Sequence, residues 1–488
     1  MITRRQALKT ISATLVAPYL LSKPKSLLAQ TARVRRDLTR MADDDPFFAK
    51  YAGAIQMMHD LPESDPRSWR NQAIIHADHC PHGMPDFLQW HRFYITYFET
   101  ICGEMIGDSN FALPYWNWSN NNGTVPLPFF GSNPLNVAFT NDPSDYQPPA
   151  QSRTNWGPDP IATIGSRMLS PTFGLGTDPR FSRVFESAEI EGIMRLSDFN
   201  QFFNSLEGSP HNIGHVITGN PNGHMASGLS PLDPLFWLHH CNVDRIWAEW
   251  QAAGNMTPSD PMQYAGQFVD AAGEPVDAGA DQSHDHLAMG FTYDSITAPI
   301  SPLLNRLDLP KTALPDMDAG DQIVSLGTVE NEESSTVDEA TELRVATPEL
   351  SQALFGKRVF RATKMLTRPR NAMEPSRILA LLEGVSYPKA GDERIVVNVF
   401  VNCPYLSPLT PSSDPHYAGA FAFFGQPMKD MKNGGRFAID VTSPLRDLAA
   451  QGRLDPQGLN VQLMPLTITD EGPKGAKFKV SAVEVLKV

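Results

Sequence analysis

Asp233 to Trp250 reads DPLFWLHHCNVDRIWAEW. Asp233 and Pro234 have the form of a helix start: a carboxylate able to accept the first free N–H groups, then a residue tolerated only in the first turn. The run behind them is amphipathic and carries two adjacent histidines, His239 and His240. Neighbours on a helix point more than a quarter-turn apart, so one of the pair can face a metal while the other does something else. Twenty-five residues before His240, SPHNIGH sets His211 and His215 four apart, on one helical face one turn from each other. Such a pair can share one ion, with a third imidazole from the later helix.

The first half of the chain offers a parallel set. In HADHCPHGMPDFLQWHR, eight residues separate His82 from His91 and Pro85 lies between them. His82 is therefore expected on a loop and His91 on the helix FLQWHRFYITYFETICGEM, with His76 as a third candidate. Ten of the thirteen histidines fall in the two windows His59 to His91 and His211 to His240. Two sets of three histidines without an accompanying Asp, Glu or Cys favour a borderline metal that accepts imidazole alone; copper and zinc both qualify. Cys80, inside the first cluster, raises the question of a thiolate ligand. His59, His79, His224, His239, His284, His286 and His416 read as hydrogen-bonded core or surface residues.

At 488 residues the chain should divide into two or three domains, and its 42 prolines and 34 glycines point to long structured loops. A formal net charge of -14 argues against nucleic acid or an anionic membrane as the main partner and leaves a small neutral substrate open. Four widely spaced cysteines make no disulfide framework; Cys102 and Cys241 read as small apolar packing residues. Residues 1–29 have a positive start with Arg4 and Arg5, an apolar run from Ile11 to Leu21 too short to span a bilayer, and Ala29 at a cleavage position. They resemble a twin-arginine export signal, implying a periplasmic or secreted protein. Residues 32–297 hold both histidine windows and read as the catalytic domain, 298–355 turn acidic and hydroxyl-rich and read as a linker, and 356–488 alternate as a β-sandwich.

HGMPDFLQWHR, FALPYWNW at 111–118, HNIGH and DPLFWLHHCNVDRIW resemble the signatures of type-3 copper proteins, the tyrosinases and polyphenol oxidases. The resemblance implies a mainly α catalytic domain, a four-helix bundle holding two copper ions, followed by the β-sandwich domain. His76, His82 and His91 would bind copper A, and His211, His215 and His240 copper B. Dioxygen would be the co-substrate and small phenols the substrates, hydroxylated ortho to the phenol oxygen and oxidised to o-quinones that feed melanin-like pigment. A catechol or o-aminophenol oxidase without monophenolase activity, a hemocyanin-like oxygen carrier and a structural dizinc protein are the competing readings.

The same resemblance makes Glu207 and Asn212 a pair that shares and polarises a water for phenol deprotonation. It makes Ser227 a small residue at the substrate gate, implying an open site, and Cys80 the partner of a thioether to His82, leaving three imidazoles as ligands. Arg35 and Arg36 with Phe291 and Tyr293 resemble the motifs closing the catalytic domain, and HYAGAFAFFG at 416–425 resembles the plant C-terminal domain that covers the entrance in latent forms. Asp244, four residues after His240, is placed to orient a histidine, with Arg245 as its alternative partner.

Overall fold

The helices that carry the histidines start where short polar side chains cap them. Asp45 accepts from the N–H of Phe47 at the head of α1 (Pro46–Asp60), and Ser68 from that of Asn71 at the head of α2 (Trp69–His79). α3 (Phe87–Met105) follows, then α4 (Ser187–Met194), and α5 (Phe199–Leu206), capped by Asp198. A π-helical turn, Glu207–His211, leads directly into α6 (Asn212–Thr218), and α7 (Leu235–Ala252) is the helix announced by Asp233 and Pro234. Asp233 Oδ1 accepts from Leu235 N at 2.8 Å, while its carboxylate is gripped by the buried guanidinium of Arg167, which also donates to the carbonyls of Phe129 and Leu135. The start of α7 is thus fixed from outside the helix.

The structure, a computed structural model, describes residues 32–140, 167–219, 223–296, 324–355, 377–386, 395–424, 435–455, 458–468 and 475–487. The expected signal segment lies outside them. Among the described residues no helix is long and apolar enough to cross a membrane.

Aromatic packing sets the helices against one another: Phe98 of α3 stacks on Trp237 of α7 at 3.4 Å between ring centres, and Trp69 of α2 closes on both. The ends of the unit are tied by β1 (Arg33–Arg35). After a small hairpin of β2 (Phe268–Val269) and β3 (Pro275–Val276), β1 pairs in parallel with β4 (Phe291–Tyr293). The Arg35 guanidinium lies 3.7 Å from the centre of the Phe291 ring, the contact the motif resemblance implied. Arg36 instead faces out and pairs with Asp45.

The second unit contains β5 (Val324–Glu330), β6 (Ser334–Thr336), β7 (Thr341–Ala346), α8 (Leu350–Phe355), β8 (Ile378–Val385), β9 (Ile395–Val401), β10 (Tyr417–Ala422), β11 (Gly435–Asp440), α9 (Thr442–Ala450), β12 (Gly458–Thr467), β13 (Lys477–Lys479) and β14 (Ala482–Lys487). Two four-stranded antiparallel sheets, ordered β10-β9-β12-β7 and β11-β8-β14-β5, make the sandwich. The acidic stretch read as linker is corrected here, because β5 and β7 are strands of those sheets. In TELRVA, Leu343 and Val345 are buried while Glu342 and Arg344 point out, so the charges that suggested a linker are the solvent face of a strand.

β9 is buried along its whole length. Val397, Val399 and Val401 face the sandwich core, whereas Val396 and Phe400, with Tyr417, Met464 and Leu466, join the helical unit's core. Polar bonds reinforce this seam. Asn398 donates to Arg180 O, Ser412 N to Pro179 O, and Arg183 N to Ser412 Oγ.

Candidate metal centre

Helix α2 delivers His76, α3 delivers His91, and the loop between them delivers His82; the π turn, α6 and α7 deliver His211, His215 and His240. All six are buried. Ring centres in the first trio lie 5.4 to 5.7 Å apart, and in the second 4.6 to 5.4 Å. The trios meet where His91 stacks on His240 at 4.2 Å.

Backbone and side-chain oxygens decide which nitrogen points inward. Nδ1 of His76, His91 and His215 each lies 2.8 Å from a main-chain carbonyl, of Gly228, Phe87 and Met225 respectively, and Nδ1 of His211 lies 2.8 Å from Asn212 Oδ1. A carbonyl oxygen can only accept, so Nδ1 carries the proton and Nε2 keeps its lone pair. Among the described residues, the Nε2 atoms of His91 and His211 are buried with no hydrogen-bond partner, and those of His215 and His240 face each other at 3.3 Å. Buried lone pairs converging in this way suit a cation that prefers imidazole. Burial pushes the imidazoles of His76 and His211 down to about 3, and His82, His91, His215 and His240 also fall well below the usual value, with desolvation as the first cause. The neutral, ligating form is the resting one.

The grouping of ligand atoms is tighter than the sequence indicated. His76 falls within 4.8 Å of Cys80 and His82 in one set, and of His91 and His240 in another. His239, read as a bystander, belongs to a set with His211, His215 and His240. Its ring packs on α6 at Gly214, where an added Cβ would come within 2.7 Å of the imidazole. The glycine inside HNIGH was the available signal.

Cys80 Sγ sits 3.2 Å from His82 Nδ1. Burial and nearby Glu207 raise the thiol well above its usual value, so it is held protonated and is a poor ligand.

The other expected site residues have these partners. Glu207 is buried, and desolvation pushes its carboxyl up to about 8, but Oε1 accepts from Gly83 N at 2.6 Å, while Asn212 is spent on His211 Nδ1 and on Ala422 O. Each side chain braces a different histidine-bearing segment. Among the described residues, Asp244 hydrogen-bonds to neither a histidine nor Arg245. It binds Arg35, Arg92 and the Tyr293 hydroxyl, because it faces the buried arginines of β1 and α3, and Arg245 turns to Glu249. Ser227 donates to His224 O within its own turn. The site is not open: Phe424, just past β10, stacks on His215 with ring centres 3.8 Å apart at 12° and stands edge-on to His82 at 5.1 Å.

Residues 54–253 match the family described as the common central domain of tyrosinase, and residues 330–487 match one described as a domain of unknown function. Residues 54–253 belong to the tyrosinase central-domain family. Among the chain's relatives, aureusidin synthase of Antirrhinum majus is 29% identical over 318 residues, covering 58% of this chain and 55% of that protein. A chloroplastic polyphenol oxidase of Malus domestica is 25% identical over 472 residues, covering 90% and 76%. Two solved structures share the fold: a latent aurone synthase, with a TM-score of 0.59 at 20% identity over 94% of this chain and 90% of that one, and latent apple tyrosinase, at 0.53 and 22% over 93% and 97%. Tyrosinase-family proteins carry a type-3 dicopper centre, and the inward imidazoles described above fit that donor set.

Proposed function

We propose that the chain is a copper-dependent phenol oxidase, with His76, His82 and His91 holding copper A and His211, His215 and His240 holding copper B. The observation that carries this reading is the set of Nδ1 bonds to oxygen that turn the Nε2 lone pairs of His76, His91, His211 and His215 inward. When bound, the copper pair supplies two one-electron centres at which dioxygen is reduced at the expense of a phenol. An o-diphenol gives up two electrons and two protons to become an o-quinone, so one dioxygen consumes two diphenols and leaves as two waters. A monophenol must first gain an ortho oxygen and lose its phenolic proton. Glu207, a buried carboxyl bonded to Gly83 N of the copper-A loop, is in its ionised form the proton acceptor in this reading.

The chain's own residues also restrict entry. Phe424 holds an aromatic ring flat on the His215 imidazole, the surface on which a phenol ring would rest, and it reaches there on the second unit. The protein is therefore latent as folded, and β10 must shift before substrate binds. We further infer that Cys80 and His82 become joined: sulfur bonds to a ring carbon beside Nδ1, the S–H and C–H hydrogens leave as two protons and two electrons, and dioxygen takes them up. Export by the twin-arginine-like segment belongs to the same reading, since that route carries folded, metal-loaded proteins.

Metal analysis of the purified protein should find about two coppers per chain; zinc in their place would sink the reading. With the latency relieved, oxygen uptake is expected with both L-tyrosine and L-DOPA. Uptake with L-DOPA alone, after any lag, would reduce the activity to that of a catechol oxidase.

A further inference from the structure

The π turn that bears Glu207 and His211 is an unstable piece of backbone to hang a ligand on. It contains Pro210, which has no N–H to donate to the turn's own ladder. Its outer side, at Gly208 and Ser209, borders a cavity of about 620 Å³ between the two units. Arg377 crosses that gap to donate to Gly192 O, and one aromatic side chain crosses it at the turn itself. The ring of Phe437, on β11 of the second unit, sits directly on Gly208, where a Cβ would meet its Cδ1 and Cε1 at 2.8 and 2.9 Å. Phe437 is backed in turn by Phe421, stacked at 4.4 Å and 24°. Immediately past the turn, Ala422 O of the same unit accepts from Asn212 Nδ2 at 2.9 Å, while Asn212 Oδ1 holds His211 Nδ1.

We propose that Phe437 is a positioning residue for the copper-B ligand His211: the sandwich domain presses the π turn into shape through the Phe437 ring on Gly208, besides covering the site. The inference rests on the reading that His211 holds a copper. Glycine at 208 is required because any side chain would lift the ring off the turn, and with a void adjoining Gly208 and Ser209 the Phe437 ring is the contact that presses on the turn at that point. Phe437 and Phe424 then have separable tasks. Removing Phe424 uncovers the site and leaves the turn braced; removing Phe437 leaves Phe424 in place and loosens one copper.

The test measures copper release from the full-length, copper-loaded protein to excess EDTA, followed by metal content against time, for the unaltered chain, Phe437→Ala, Phe437→Leu and Phe424→Ala. Phe437→Ala should lose one of its two coppers about tenfold faster than the unaltered chain and the other at the same rate, with Phe437→Leu intermediate and Phe424→Ala losing neither selectively. If Phe437→Ala does not fold, Gly208→Ala, which pushes the turn from the other side, should show the same selective loss. Release of both coppers at the unaltered rate, or equal acceleration of both, overturns the positioning role alone. An unaltered chain that takes up no copper overturns the site assignment and this inference with it.

Discussion

Phe424 and Cys80 touch the same imidazole, His82, and each changes what it can do. A stacked aromatic pair contributes about 0.5–1.5 kcal/mol beyond the area it buries, which corresponds to roughly a tenfold change in how often the site stands open. Phe424→Ala should therefore raise oxygen uptake with catechol about tenfold without protease, whereas Phe424→Trp should stay latent; equal rates for all three proteins would mean that the ring does not guard the site. For Cys80, the peptide spanning His76 to His91 should weigh two hydrogens less than its sequence after aerobic copper loading, and a thiol reagent should leave it unmodified. The convergence of the histidines was legible where side chains of distinctive chemistry stand at fixed spacing, as in HNIGH. The partners of the rings were not legible where an acceptor is a main-chain carbonyl, as at Gly228 and Met225, since any residue supplies one. Phe424 lay within a stretch noted for its resemblance, but nothing in an apolar strand end says which ring will reach another domain.

At the scale of elements, the histidine-bearing helices are held by ions rather than by propensity. Arg35 bonds Glu99 and Asp244 at 3.0 and 3.1 Å, Arg92 also bonds Asp244, and Arg33 bonds Glu99 at 3.2 Å, all in the interior where β1, α3 and α7 meet. Removing one carboxylate leaves buried guanidinium charge uncompensated, at a cost of about 3–5 kcal/mol. Asp244→Asn should lower stability by that amount in urea unfolding followed by tryptophan fluorescence; a loss under about 1 kcal/mol would be that of a solvent-screened pair. The sequence placed Asp244 correctly on its helix, one turn beyond His240. The direction it faces depends on where β1 crosses, and that contact spans 209 residues. The helix starts were legible for the opposite reason: caps such as Asp45, Ser68 and Asp233 act within two or three residues of themselves.

For the whole molecule, the boundary between units carries a proton. Glu189 on α4 faces Asp440 of the sandwich, and its carboxyl is pushed up to about 7, first by desolvation, with Arg183 opposing and Asp440 and Glu186 adding to the rise. The folded chain keeps this proton from the ordinary glutamate value of 4.5 up to about 7, whereas the unfolded chain has lost it. Across that window the native state binds more protons, so the contribution of Glu189 to stability falls as pH rises, and it is constant above. Glu189→Gln should flatten that part of the melting temperature against pH profile; an unchanged slope would exclude Glu189 as its source. The two-unit plan itself was legible from the histidine windows and the alternating C-terminal runs. The second unit's true start was not, because β5 and β7 wear acidic residues on their solvent face.

β9 has no solvent side. A strand apolar on both faces can be satisfied only while two neighbours cover it, so a protease that severs the chain between the units leaves the fragments glued together and Phe424 still seated. A cut protein should elute as a single particle. Prising the halves apart would uncover Val396, Phe400, Tyr417, Met464 and Leu466 at once, and the freed sandwich would be expected to clump rather than circulate as a soluble by-product.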